Sequence, residues 1–391
     1  MAPHKRHREL GMSIESRRNR GEHVIAAPHV CLIMLSLLFA SCADFRPRAV
    51  PSSPVKPVAA APSSLLAAPP PAEVLEPLQA RFRSLAMLHR IEKEGPAKTP
   101  KKLRVAVISD LNGSYGSKHY RREVHESITW IRDELEPDLV ISTGDMVAGM
   151  KAGLDYEGMW VAFHAAVTLP LTRAGIPFAP TPGNHDATSR PGYEAERAEY
   201  RKQWKLWKPD VNFVDVRHYP RRYAFMERDV LFISIDATNV GKIGEAQFAW
   251  LDDVLTRHAN VPVKIVYGHL PIYPFAQHRD REVLGDRALE DLLNEHGVAA
   301  YLSGHHHTYY PGKRGDLRMV SLSCLGGGAR KLLGTDTPSP RSVLVLEIDP
   351  VKGITSLEAH PVENFERTVP REALPESVGQ GGTSIVRDDL P

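Results

Sequence analysis

Residues 103–113 read LRVAVISDLNG, and residues 137–147 read PDLVISTGDMV. Each is a short apolar run that stops on a carboxylate. Such a run, bounded by polar and turn residues, reads as a fully buried strand. Between the two, Val124, Ile128, Ile131 and Leu135 recur at helical spacing within 118–135. The pattern continues outward: a helix over 154–168, IPFAPTPG at 176–183, a helix over 192–207, and two strands within 222–238 joined by a turn at Arg228-Asp229. Helices follow at 244–258 and 286–296, with strands VKIVYGH (263–269) and VAAYLSGH (298–305). The remainder, with RMVSLSC (318–324), SVLVLEIDP (342–350) and GITSLEA (353–359), is strand-rich, and no internal repeat is visible. Alternating buried strands and helices define an α/β layer architecture.

The polar residues fall at particular places. Asp110, Asp145, Asn184, His269 and His305 each come at or just after the end of an apolar strand. Ligands of open α/β sheets gather outside the carboxyl ends of strands, so five strand ends are expected to meet at one rim. The segments are SDLNG (109–113), TGDMV (143–147), PGNHD (182–186), YGHLP (267–271) and SGHHHT (303–308). Glycine precedes four of the five polar groups, which permits tight turns and predicts room for an ion. Carboxylate, amide oxygen and imidazole together suit Zn, Mn or Fe and are poor for Ca or Mg.

These five segments, in this order, resemble the calcineurin-like metallophosphoesterases, which include the purple acid phosphatases. The resemblance covers roughly 103–310 and implies a four-layer α/β/β/α sandwich of two mixed sheets. It implies two divalent or trivalent metal ions, of Mn, Fe or Zn. Asp110 would bind the first ion and Asp145 would bridge both. Asn184, His269 and His305 would complete the second site, and His307 would return to the first. Residues two apart on a strand share a face, so His305 and His307 are predicted to point together and His306 elsewhere. The resemblance places His185 beside the substrate, where it would stabilise or protonate the leaving oxygen. Asp186 would orient the loop or a nearby imidazole, or would simply cap a turn.

One position departs from the family. Many relatives carry Asp-x-His in the first segment, whereas here it is Asp110-Leu111-Asn112. The tyrosine that purple acid phosphatases use, three residues after the bridging aspartate, is replaced by Ala148. Three completions of the first site remain open: Asn112 through its amide oxygen, Tyr115 as a phenolate, or water. A neutral amide in place of imidazole favours Mn or Fe over Zn there. The implied reaction is attack of metal-bound hydroxide on phosphorus in a phosphomonoester or phosphodiester. The alternative is a non-catalytic envelope metal-binding or assembly protein with an incomplete first site. His278, Arg279 and Arg281 are candidates to meet an anionic substrate, as is the rim turn NGSYGSKH (112–119). GGGARK (326–331) resembles a phosphate-cradling loop only faintly and lacks P-loop spacing.

Bulk composition sets the remaining expectations. The chain has 391 residues, 42% of them apolar and 25% charged, enough for one large domain with extensions. A net charge of +2 gives no reason to expect a nucleic-acid surface, and no protein partner is evident. Basic residues precede VCLIMLSLLFASC (30–42), an apolar core too short to span a bilayer comfortably. Leu38–Cys42 resembles a bacterial lipobox with Cys42 lipidated, which implies a domain anchored in the cell envelope. The expected organisation is a signal segment (1–42), a Pro/Ala-rich tether (43–72), a metallophosphoesterase domain (73–365, opened by a helical stretch at 73–93) and a flexible tail (366–391). Cys324 is the one cysteine of the globular part, so no disulfide staples it.

Overall fold

The computed structural model describes residues 102–391; the signal segment with Cys42, the tether and the 73–93 stretch lie outside the described residues. The first three strands, β1 (Leu103–Ile108), β2 (Leu139–Ser142) and β3 (Phe178–Pro180), run parallel to one another. The next five build a second sheet: β4 (Asn212–His218), β5 (Arg222–Glu227), β6 (Val230–Ser234), β7 (Val263–Tyr267) and β8 (Ala300–Ser303). β9 (Tyr310–Arg314) and β10 (Leu317–Ser321) extend it, while β11 (Ser342–Asp349) and β12 (Gly353–Pro361) return to the first sheet. The strand order of the first sheet is β12-β11-β1-β2-β3, with β11 antiparallel to β1.

Seven α-helices accompany these strands among the described residues: α1 (Arg122–Trp130), α2 (Tyr156–Phe163), α3 (Leu169–Arg173), α4 (Asn184–Ala187), α5 (Glu194–Leu206), α6 (Glu245–Arg257) and α7 (Arg287–Glu295). Side chains alternate across each strand, and this sorts the core into three layers. Val105 and Val107 of β1 face Phe232 and Ile265 of the second sheet. Ala106 and Ile108, the residues between, pack on α1, α2 and α5 through Ile128, Phe163 and Trp204. On the outer face of the second sheet, Ile233 and Val266 meet Trp250 and Leu251 of α6 and Leu293 of α7. Three cores separate four layers, so the expected α/β/β/α sandwich is observed. Strands covered on both faces are apolar at nearly every position, which is why β1 and β2 read as unbroken runs.

The described domain extends beyond the expected boundary at residue 365. Two short strands, β13 (Ser377–Val378) and β14 (Ile385–Arg387), add to the edge of the second sheet through β9. Ile385 is fully buried, and the Arg387 Nη1 donates to the carbonyls of Arg371 (2.6 Å) and Leu374 (2.8 Å). The segment 366–391, expected as a flexible tail, is therefore paired sheet edge. Its strands are two and three residues long, too short for any periodicity to show. The edge strand β4 was also missed by pattern, since it is exposed or half-buried along most of its length.

Candidate metal centre

Strands β1, β2 and β3 of one sheet and β7 and β8 of the other end at the same rim. Asp110 follows β1, Asp145 follows β2, Asn184 follows β3, His269 follows β7 and His305 follows β8. Each chain must turn sharply there, and four residues take a left-handed backbone despite having a side chain: Asp110 (φ 51°), Asp145 (φ 55°), His305 (φ 63°) and His307 (φ 52°). Such conformations cost about 1–3 kcal/mol each and cluster at functional sites. The glycines serve close approach of the loops to one another. A Cβ on Gly183 would lie 2.1 Å from the Asp145 backbone nitrogen, and one on Gly304 would lie 2.0 Å from Ser109 Oγ. The space they leave is thus taken by neighbouring loops.

The three outer imidazoles are each held by one nitrogen. His269 Nδ1 donates to Thr143 O (2.9 Å), His305 Nε2 to Glu282 Oε2 (3.1 Å) and His307 Nδ1 to Gly328 O (2.9 Å). The other nitrogen of each ring turns inward. His269 Nε2 lies 2.9 Å from Asn184 Oδ1, 3.2 Å from His305 Nδ1 and 3.4 Å from Asp145 Oδ2. His307 Nε2 lies 3.0 Å from Asp110 Oδ1. The Asn184 amide is oriented by its Nδ2, which donates to Met150 Sδ (3.1 Å), so that its oxygen faces the cluster. Ligating histidines are held in this way, through the nitrogen that does not face the metal.

The donor set fits metal ions. Asp110 is fully buried; its Oδ2 accepts from Ser109 Oγ (2.6 Å) and His305 N (3.1 Å), while its Oδ1 faces His307 Nε2 (3.0 Å). Ligand atoms of Asp110, Asp145 and His269 all lie within 4.8 Å of one another. Burial opposes charge on both rings, yet Asp145 raises His269 to about 9 and Asp110 raises His307 to about 10. The same contact holds Asp110 down at about 2 against its burial. Buried carboxylates facing inward lone pairs call for positive charge between them.

The structure brings together Asp110, Asp145, Asn184, His269, His305 and His307. His306 turns away as expected: its buried ring accepts from Phe275 N (3.0 Å) and donates to Glu282 O (3.0 Å). The reason differs from strand alternation, because β8 ends at Ser303 and the left-handed turns of His305 and His307 aim the rings. Asn112 is buried in the lining of the cleft, whereas Tyr115 is 57% exposed at its mouth, its ring 5.4 Å from that of His185. Tyr115 lines the same cleft as Asn112, Asp145 and Asn184, with its ring against His185. His185 is held by Nδ1, which donates to Gly149 O (3.0 Å), and by its backbone nitrogen, which donates to Asp145 Oδ1 (2.9 Å). Asp186 orients the loops, accepting from the nitrogens of Met146 (2.8 Å), Val147 (2.9 Å) and Gly183 (2.8 Å).

Asn112, Asp145, Asn184, His185, His305 and His307 line a cleft of about 670 Å³. Of the three basic candidates, Arg279 lines it; His278 and Arg281 are exposed and outside the lining, because the turn around 276–282 aims only the middle residue inward. Sequence reasoning missed Glu282, which anchors His305; Arg330, which lines the cleft, lies in GGGARK (326–331), where the sequence showed only a faint likeness to a phosphate-cradling loop.

A rim-mounted cluster of buried oxygen and nitrogen donors, shared between two sheets of an α/β sandwich, forms a candidate metal centre. The chain belongs to the calcineurin-like phosphoesterase family, whose sequence profile matches residues 103–309. No curated protein matches the sequence significantly. Among solved structures, purple acid phosphatase PPD1 from yellow lupin seeds aligns with TM-score 0.52 at 15% identity, covering 69% of this chain and 53% of its own. This chain thus spans about half the length of the lupin protein, and the likeness is one of fold. A putative 5'-nucleotidase from Staphylococcus aureus aligns with TM-score 0.40 at 14% identity, over 70% of this chain and 56% of its own.

Proposed function

We propose that this chain is a metal-dependent phosphoric ester hydrolase acting on small phosphomonoesters or phosphodiesters. The observation that carries the reading is the inward set of lone pairs on His269, His305 and His307, facing Asp110, Asp145 and Asn184. Asp110, Asp145, His307 and the Asn112 amide would hold one ion; Asp145, Asn184, His269 and His305 would hold the second. Two such ions, of Mn, Fe or Zn, supply Lewis-acid polarisation of phosphoryl oxygens and an acidified water. The protein's own part is positioning. The His185 ring is fixed by the Gly149 carbonyl, so Nε2 is the nitrogen that exchanges a proton with the leaving oxygen. Asp186 holds the loops of Asp145 and His185 in register through three backbone bonds. The lipobox at Cys42 supports an envelope-tethered domain, which labelling with a radioactive fatty acid tests through loss of label in Cys42→Ser.

Purified protein supplied with Mn, Fe or Zn should hydrolyse a chromogenic phosphoester and carry two ions per chain by elemental analysis. A second reading, a non-catalytic metal-binding or assembly protein, draws on the amide at position 112 in place of an imidazole. One ion per folded chain with no turnover under any metal would favour that second reading.

A further inference from the structure

The glycine-rich stretch 326–331 lies at the metal centre and ends in a cation. It is stitched to both halves of the cluster: Gly326 N donates to Asp110 O (2.8 Å), Arg330 N donates to His307 O (3.3 Å), and Gly328 O receives the His307 Nδ1 proton. The Arg330 side chain is steered into the cleft by its own Nη1, which donates to His305 O (2.5 Å). There it shares the lining with Arg279, Glu282, His305 and His307.

Charge separates Arg330 from its neighbour. Arg279 is neutralised by a close ion pair with Glu282. Arg314 and Arg371, also half-buried, lie against Glu290 (2.7 Å) and Asp388 (2.9 Å). Among the described residues, no carboxylate lies at ion-pair distance from the Arg330 guanidinium, which donates to a neutral carbonyl. A desolvated guanidinium without a counter-ion is costly. At the mouth of a cleft it is poised for an anion from solution, and its planar fork matches phosphate oxygens.

We propose that Arg330 is a phosphate-binding residue that makes this site prefer phosphomonoesters to phosphodiesters. The proposal rests on the phosphoesterase reading. A terminal phosphate is dianionic and offers three non-bridging oxygens, whereas a diester is monoanionic and offers two. Residues that would hold the metal ions, Asp145, Asn184, His305 and His307, line the same cleft as His185 and Arg330. The additional oxygen and additional charge of the monoester are what a further guanidinium recognises.

The test compares wild type, Arg330→Gln and Arg330→Lys, each with metal content and circular dichroism recorded. Binding of inorganic phosphate is measured by calorimetry, and kcat/KM is measured on an aryl phosphomonoester and a bis-aryl phosphodiester. Arg330→Gln should lose about ten- to a hundredfold in kcat/KM on the monoester and at least about tenfold in phosphate affinity, with less than about threefold change on the diester. Arg330→Lys keeps the charge without the fork and should fall between. Equal losses on both esters, or unchanged phosphate affinity in Arg330→Gln at full metal content, overturn the assignment. If wild type turns over neither ester yet binds phosphate through Arg330, the hydrolytic reading falls while the anion site stands. If wild type hydrolyses the monoester and Arg330→Gln matches it, the arginine assignment falls while the hydrolytic reading stands.

Discussion

His307 Nε2 faces Asp110 Oδ1 at 3.0 Å with no proton of a neutral ring to place between them, since Nδ1 donates to the Gly328 carbonyl. Two acceptors pressed together in a dry site are repulsive unless a cation or an extra proton joins them. The same holds for His269 Nε2 against Asn184 Oδ1 at 2.9 Å. The cluster is thus organised around positive charge supplied from outside the chain.

Glu282 fixes the tautomer of His305 from outside the cluster. Glu282→Ala should weaken metal binding by about ten- to a hundredfold, the usual effect of removing a partner of a ligating histidine. Titration with Mn or Zn under competition from a chelator reads this directly. Unchanged affinity would mean that the Glu282–His305 contact does not orient the ring.

His185 makes its loop contacts through the backbone nitrogen and Nδ1. His185→Ala keeps the backbone bond to Asp145, so metal content should stay near wild type. Its kcat should fall by about a hundred- to ten-thousandfold if the ring serves the leaving oxygen. The loss should shrink for esters with good leaving groups, which need no proton, and a uniform loss would assign the ring to positioning only.

His164 titrates out of sight of the cleft. It is buried between Trp207, stacked at 4.6 Å, and Trp204, and its Nδ1 contacts Thr168 Oγ1 at 3.1 Å. Burial pushes its pKa down to about 3 from 6.5. The folded ring stays neutral while the unfolded one takes up a proton, so its stability contribution is intact above pH 6.5 and is lost as pH falls toward 3. The loss reaches about 5 kcal/mol at the acid end as an upper figure. His164→Gln should flatten the decline in urea stability between pH 6.5 and 4 relative to wild type.

Ile385 is fully buried although it lies six residues from the end of the sequence, packed beside Met319 and Leu317 in the outer core. Ile385→Ala should cost about 2–5 kcal/mol in denaturant unfolding. A change within about 0.5 kcal/mol, the ordinary effect of a surface substitution, would mark the segment as peripheral.

The sequence made the strand ends legible because doubly covered strands are unbroken apolar runs, and a carboxylate or histidine at the end of one stands out. Asp110, Asp145, Asn184, His269 and His305 were found this way. The inward aim of His305 and His307 was foreseen for a reason the backbone does not obey, since left-handed turns leave no periodic trace. Glu282 lies 23 residues before the histidine it holds. Arg330 sits on a loop whose glycines conform to no known phosphate motif. Both are set by tertiary contacts among loops, which no local pattern encodes. β13 and β14 escaped because strands of two and three residues carry no alternation to read.

The donors divide between two sheets: Asp110, Asp145 and Asn184 hang from one, His269, His305 and His307 from the other. An ion gripped by both is a rivet through the sandwich. Because it binds only when the sheets are in register, its affinity is added to the cohesion of the whole domain. The loaded protein should therefore melt later than the stripped one in proportion to the logarithm of the metal supplied. Loss of a histidine on one side should reduce that gain, as should loss of an aspartate on the other, and loss of Asp145, which would serve both ions, should reduce it most.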